Sequence, residues 1–359
     1  MTGDSQGIVT EPTAPEPFER LIEKARRSYI PLTIHWELTG RCNLHCVHCY
    51  VPPDDGDAEL TTQQCFDVLD QLADAGTLWV SLSGGEPLLR PDFFEIAEYA
   101  RRREFALRLM TNGTLIDAVT ADALSSLRLM SVEISVYAAS ASVHDCITGC
   151  EGSFELATGA LRLMRERGLT TVMKTPVMTL NAAGFEATRR LAQQLADRHV
   201  YDVTIIPAKD GDRRPLASRL TPDQLRSFFE GRVGAELPKI AESAFSKPPC
   251  GAGIRTASIA PNGVVYPCVA FDIPTGDLRR QSFVDIWQHS PALRQLRQTT
   301  FGDIAICASC ETAGICGRCS ALAHLEDGDR CGPSSAACMV AAAKLSVMSR
   351  NEREGGNGH

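Results

Sequence analysis

Three cysteines within eight residues, Cys42-x3-Cys46-x2-Cys49, are the most chemically loaded stretch of the chain. A cubane iron–sulfur cluster takes four thiolates, one per iron. A loop that offers three leaves one iron open, as a catalytic zinc site keeps one position free. Zinc, with His45 or His48 as fourth ligand, is the competing chemistry. Further on stands Gly84-Gly85-Glu86-Pro87. Its glycines let backbone approach a ligand closely and its carboxylate can meet an ammonium group, although alone it reads as a turn. His144 and Asp210 fall in segments that read as loops and are candidate acid–base groups, against the plainer reading of polar loop residues facing water.

A second cysteine string runs Cys250-x12-Gly263-x4-Cys268, then Cys307-x2-Cys310-x5-Cys316-x2-Cys319, then Cys331 and Cys338. Fourteen cysteines in 359 residues exceed what core packing uses. The N-terminus has no basic segment followed by an apolar one, and no apolar run approaches the ~18 residues of a membrane span. A reducing cytoplasm, with the cysteines holding metal, is the expectation. Cys65, Cys146 and Cys150 are surplus and read as free thiols. The net charge of −8 and the lack of a Lys/Arg run exclude a phosphate-backbone footprint, so no nucleic-acid partner is expected.

The elements that must position these residues alternate. Strand patterns cover residues 32–38, 78–83, 106–111, 131–136, 171–176 and 203–206; helical patterns lie between them at 61–75, 91–103, 117–127, 153–167 and 182–198. Gly76 and Gly168 stop two of the helices. Six strand–helix units imply a parallel α/β sheet with right-handed crossovers, a partial (β/α)6 TIM-like barrel whose site lies at the C-terminal ends of the strands. The cysteine loop follows the first strand and so sits on that rim. The expected organisation is a disordered tail over 1–17, the barrel over 18–206, a bridge over 207–249, a small cysteine-rich domain over 250–345 held by metal more than by apolar burial, and a flexible tail over 346–359.

The Cys42–Cys46–Cys49 spacing resembles the signature of radical S-adenosylmethionine (SAM) enzymes, and Cys250 to Cys338 resembles the SPASM extension of that family. The resemblance covers residues 31 to about 338. It implies SAM on the open iron of a [4Fe–4S] cluster held by Cys42, Cys46 and Cys49. It also implies two auxiliary [4Fe–4S] clusters, one on Cys307, Cys310, Cys316 and Cys338 and one on Cys250, Cys268 and Cys319, with Cys331 able to complete the latter. Gly84, Gly85, Glu86, Asn112, Ser135 and Lys174 are the implied SAM contacts. The implied chemistry is reductive cleavage of SAM to a 5′-deoxyadenosyl radical that abstracts hydrogen from substrate, with a flavodoxin- or ferredoxin-type protein as reductant. SPASM members mostly modify peptides, so a ribosomally made precursor peptide is the expected substrate, its leader gripped by a separate protein or by the barrel mouth. Tetrapyrrole chemistry and aminosugar dehydrogenation are the enzyme alternatives; a multi-cluster electron carrier is the alternative outside catalysis.

Overall fold

The computed structural model describes residues 17–52, 59–233 and 245–355. The expected N-terminal tail, apart from Pro17, lies outside them. After helix α1 (Pro17–Ser28) come β1 (Thr33–Thr39), α2 (Thr62–Asp74), β2 (Trp79–Gly84), α3 (Phe93–Arg102), β3 (Ala106–Thr111), α4 (Ala118–Ser126) and β4 (Ser131–Ser135). They are followed by α5 (Ala141–Thr148), α6 (Ser153–Glu166), β5 (Thr171–Pro176), α7 (Phe185–Leu195), β6 (Arg198–Asp202) and α8 (Pro222–Phe229). Helix starts are set locally: Thr61 and Gln64 form a reciprocal capping box at α2, and Thr221 and Gln224 another at α8.

Strands β1 to β6 lie side by side in chain order and pair in parallel, so every crossover passes over one face and the sheet curves into a partly open barrel. Period two then divides the side chains. Ile34, Trp36, Leu38, Val80, Leu82, Leu107, Leu109, Val132 and Ile134 point outward into one apolar core under the helices. His35, Ser83, Met110, Glu133, Ser135 and Lys174, on the alternate positions, line the concave side.

Three expectations change. The sixth strand is Arg198–Asp202, where residues 203–206 were expected, and α7 stops at Leu195. As an edge strand it has one neighbour, β5, and stays polar and exposed, so it carries no apolar signal. Next, the sheet crosses the expected domain boundary. β7 (Thr256–Ile259) pairs in parallel with β1, and β8 (Val264–Tyr266) and β9 (Gly276–Asp277) extend the sheet antiparallel. Ala257, Ile259, Val265, Phe283, Ile286, Trp287 and Leu293 join the barrel's own core, so apolar burial and not metal alone holds this part. Finally, the last helix runs from Ser335 to Gly355 through the expected tail, with Val347 and Met348 buried. No helix among the described residues is long and apolar enough to cross a membrane.

Candidate active site

The cysteine loop leaves the end of β1 and is fastened from three sides. Arg90, buried and paired with Asp92, donates to the carbonyls of Leu38 and Leu60 at 2.9 and 2.6 Å, fixing the strand end. The Gly84–Gly85 turn docks under the loop start: Gly85 N–H donates to Thr39 O and Glu86 N–H to Arg41 O, each at 2.8 Å. A Cβ on Gly84 or Gly85 would stand 2.3 Å from Thr39 O or Arg41 O, and Gly84 has φ +134°, so both positions require glycine. On the third side α5 receives the loop, with His45 N–H on Thr148 O and Val47 N–H on Ile147 O.

Held this way, the three thiols form a partition. On the inner side a cavity of about 470 Å³ is lined by Cys42, Cys46, Cys49, Gly84, Gly85, Asn112, Ser135 and Lys174, among others. On the outer side a mouth of about 670 Å³ is lined by the same three cysteines with Gly85, Asp210, Asp212 and Arg214. The thiols stand near enough to feel one another's charge. Burial, then the neighbouring Cys49, pushes the Cys46 thiol up to about 12, and burial raises Cys42 and Cys49. Three thiols that resist ionising beside each other become ligands once a cation neutralises them, and soft sulfur donors suit an iron–sulfur cluster.

Five of the six residues expected to face SAM line the inner cavity. Lys174 is paired with Glu133 at 3.0 Å. Glu86 differs from expectation. Its carboxylate is wholly buried and turned away from the cavity, accepting from the Thr111 hydroxyl, Asn112 N–H and Leu88 N–H at 2.8–3.1 Å; burial pushes its pKa up to about 7. It therefore ties the β2 and β3 loops together. Asn112 in turn reaches the Cys42 sulfur at 3.9 Å.

The two acid–base candidates part company. Asp210 is exposed on the outer mouth. His144 is a correction: it belongs to α5, not to a loop, and is buried, its Nδ1 accepting from Tyr137 N–H at 3.1 Å. Asp145 beside it caps α6 through Gly152, Ser153 and Phe154. What His144 orients is Tyr137, whose hydroxyl lies 3.8 Å from Cys46 Sγ and whose ring meets His48 edge-on. Tyr137 lies two residues beyond the end of β4, and nothing local signals its contact with Cys46, 91 residues away.

Seven of the other cysteines fall into two groups. Cys250, Cys268 and Cys319 stand near one another, burial taking Cys268 up to about 11. Cys316 and Cys338 lie near each other and near Cys307 and Cys310; burial first and then these neighbours raise both. Cys331 touches only Thr299 Oγ1, at 4.0 Å, among the sulfur contacts of the described residues.

Known proteins resemble the chain in both its barrel and its cysteine-rich segment. A family model described as the radical SAM superfamily matches residues 36–192, and one described as an iron–sulfur cluster-binding (SPASM) domain matches residues 250–311. The chain is 32% identical over 337 residues to the mycofactocin maturase MftC of Mycolicibacterium smegmatis, covering 86% of this chain and 83% of that protein. It is 29% identical over 335 residues to the AdoMet-dependent heme synthase of Methanosarcina barkeri, covering 83% of this chain and 94% of that protein. Among solved structures, Streptococcus suis SuiB bound to its precursor peptide SuiA superposes with TM-score 0.70 at 16% identity, over 94% of this chain and 84% of that one, a likeness of fold.

Proposed function

The chain belongs to the radical SAM superfamily and carries a SPASM domain, and we propose that this enzyme matures a ribosomally synthesised precursor peptide. One observation carries the peptide reading: the likeness to a maturase extends over 86% of the chain, through barrel and cysteine-rich segment alike. SAM and iron–sulfur clusters are its cofactors. When bound, they supply reductive cleavage of the sulfonium and the 5′-deoxyadenosyl radical that takes hydrogen from substrate.

The protein's part is placement. Cys42, Cys46 and Cys49 hold the SAM-side cluster, while Gly84, Gly85, Asn112, Ser135 and Lys174 shape the inner cavity around SAM. Cys307, Cys310, Cys316 and Cys338 hold one auxiliary cluster, and Cys250, Cys268 and Cys319 the other, three [4Fe–4S] clusters in all. Cys331 would complete the three-cysteine set. Substrate enters by the outer mouth, where Asp210 is the available proton acceptor. A flavodoxin- or ferredoxin-type protein supplies the electron.

A second reading has its own support, since the likeness to a heme synthase spans 94% of that protein. The test is one assay. Anaerobically reconstituted enzyme with SAM and reduced flavodoxin is given short peptides encoded beside its gene or, separately, a tetrapyrrole. A mass change in a peptide is expected. Change in the tetrapyrrole alone overturns the peptide reading, and absence of any 5′-deoxyadenosine would leave an electron carrier.

A further inference from the structure

Lys209 belongs to neither cysteine group, yet its ammonium faces one aromatic ring close in sequence to each. It follows β6 in a segment that no motif marks, and its side chain is only 16% exposed. The ammonium pairs with Glu37 on β1 at 2.5 Å. It also lies 5.6 Å from the centre of the Tyr50 ring and 5.6 Å from that of Tyr266. Its backbone N–H donates to Tyr50 O at 3.0 Å. Tyr50 directly follows Cys49, and Tyr266, on β8, stands two residues before Cys268. One cation thus bridges the end of the SAM-side loop and the strand that leads into the auxiliary set.

Stability alone is a weak explanation for this arrangement. A buried ion pair gives back in desolvation much of what it gains in attraction, and apolar residues of similar volume would serve as well. Glu37 is 2% exposed, so both charges of the pair are largely withdrawn from water. What the cation adds is direction. It is attracted to two ring faces at once, so displacing either ring changes its pull on the other.

We propose that Lys209 is a positioning residue that couples the SAM-side cysteine loop to the first auxiliary cysteine group, so that a change at one is felt at the other. The proposal rests on the reading of those cysteines as cluster ligands. Coupling of this kind is a reciprocal free energy between two sites and is measured as such.

The experiment uses the full chain, anaerobically reconstituted, with iron content measured for each variant. SAM is titrated into the reduced protein and followed by the change in the electron paramagnetic resonance signal. Lys209→Met is expected to weaken SAM binding on the order of tenfold. Tyr266→Leu, on the auxiliary side, is expected to weaken it about threefold with full iron content, and the double variant no further than Lys209→Met alone. Lys209→Arg keeps the charge over both rings and is expected to bind near the wild-type level. Additive effects in the double variant, or a titration unmoved by Tyr266→Leu, overturn the coupling. If Lys209→Met fails to take up iron, the Tyr266→Leu titration decides alone. A wild-type protein whose signal ignores SAM overturns both this proposal and the cluster reading beneath it.

Discussion

The barrel and the segment from residue 300 to 334 both carry cysteines, but they hold them by different physics. In the barrel, the loop from Cys42 to Cys49 is placed by strand hydrogen bonds, by the Gly84–Gly85 turn and by α5, over a core that is continuous from β1 to β5. Beyond residue 300, Cys307 to Cys319 run through a four-residue helix and turns, with Ile306 68% exposed. The apolar side chains buried there, among the described residues, are Ile304, Ala321, Leu322 and Ala323, few beside the barrel's continuous core. A preformed site can lose its occupant and keep its shape, whereas a site whose fold comes from its occupant cannot.

The sharpest way to break that contrast is to remove one proposed ligand from each region. Cys46→Ala is expected to abolish SAM cleavage, a loss of at least about a thousandfold in 5′-deoxyadenosine formation, with the melting temperature of the barrel nearly unchanged. Retained cleavage in Cys46→Ala would end the assignment of that loop. Cys310→Ala should do the opposite: SAM cleavage persists but uncoupled, product is lost, and amides between residues 305 and 334 lose hydrogen-exchange protection. If those amides stay protected without iron, the contrast between the two regions fails.

A smaller effect probes how the barrel holds its loop without metal. Glu86→Ala leaves the Thr111 hydroxyl and Asn112 N–H without their acceptor, both beneath the cavity floor. The expected cost is about 1–3 kcal/mol in urea unfolding, with a further loss of SAM affinity as Asn112 shifts. An unchanged stability would mean the carboxylate faces the cavity after all.

The same contrast explains what could be read from the sequence. The strands at Ala106–Thr111 and Thr171–Pro176 stand where apolar alternation put them, because both are flanked on two sides and must bury one face. The two auxiliary cysteine groups come from the resemblance to the SPASM extension and not from periodicity. What spacing and periodicity miss is set by distant partners. β6 is short and polar because it is an edge, and β7 joins β1 across more than two hundred residues. The pairing of Lys209 with Glu37 spans 172 residues, and neither residue belongs to a motif. His144 looked like a loop acid because a histidine–aspartate pair is polar wherever it lies; only the packing of α5 under Tyr137 shows that its ring is closed off from water.

That burial makes the last prediction. Enclosure in apolar surroundings pulls the His144 pKa down to about 4, opposed only in part by Asp145. The unfolded chain binds the same proton with a pKa near 6.5, so between these values the unfolded state holds more protons. The stabilisation from keeping His144 neutral is therefore complete above about pH 6.5 and is lost as pH falls toward about 4. For this one group the loss between about pH 7 and about pH 5 is on the order of 2 kcal/mol. Glutamine at this position keeps an acceptor for Tyr137 N–H and does not titrate. Urea unfolding of wild type and His144→Gln at the two pH values should show a pH-dependent loss smaller in the variant by about that amount. If the two proteins lose stability in parallel, the imidazole takes up its proton in the fold as readily as in the unfolded chain, and Tyr137 must be placed against Cys46 by something other than a ring nitrogen kept neutral.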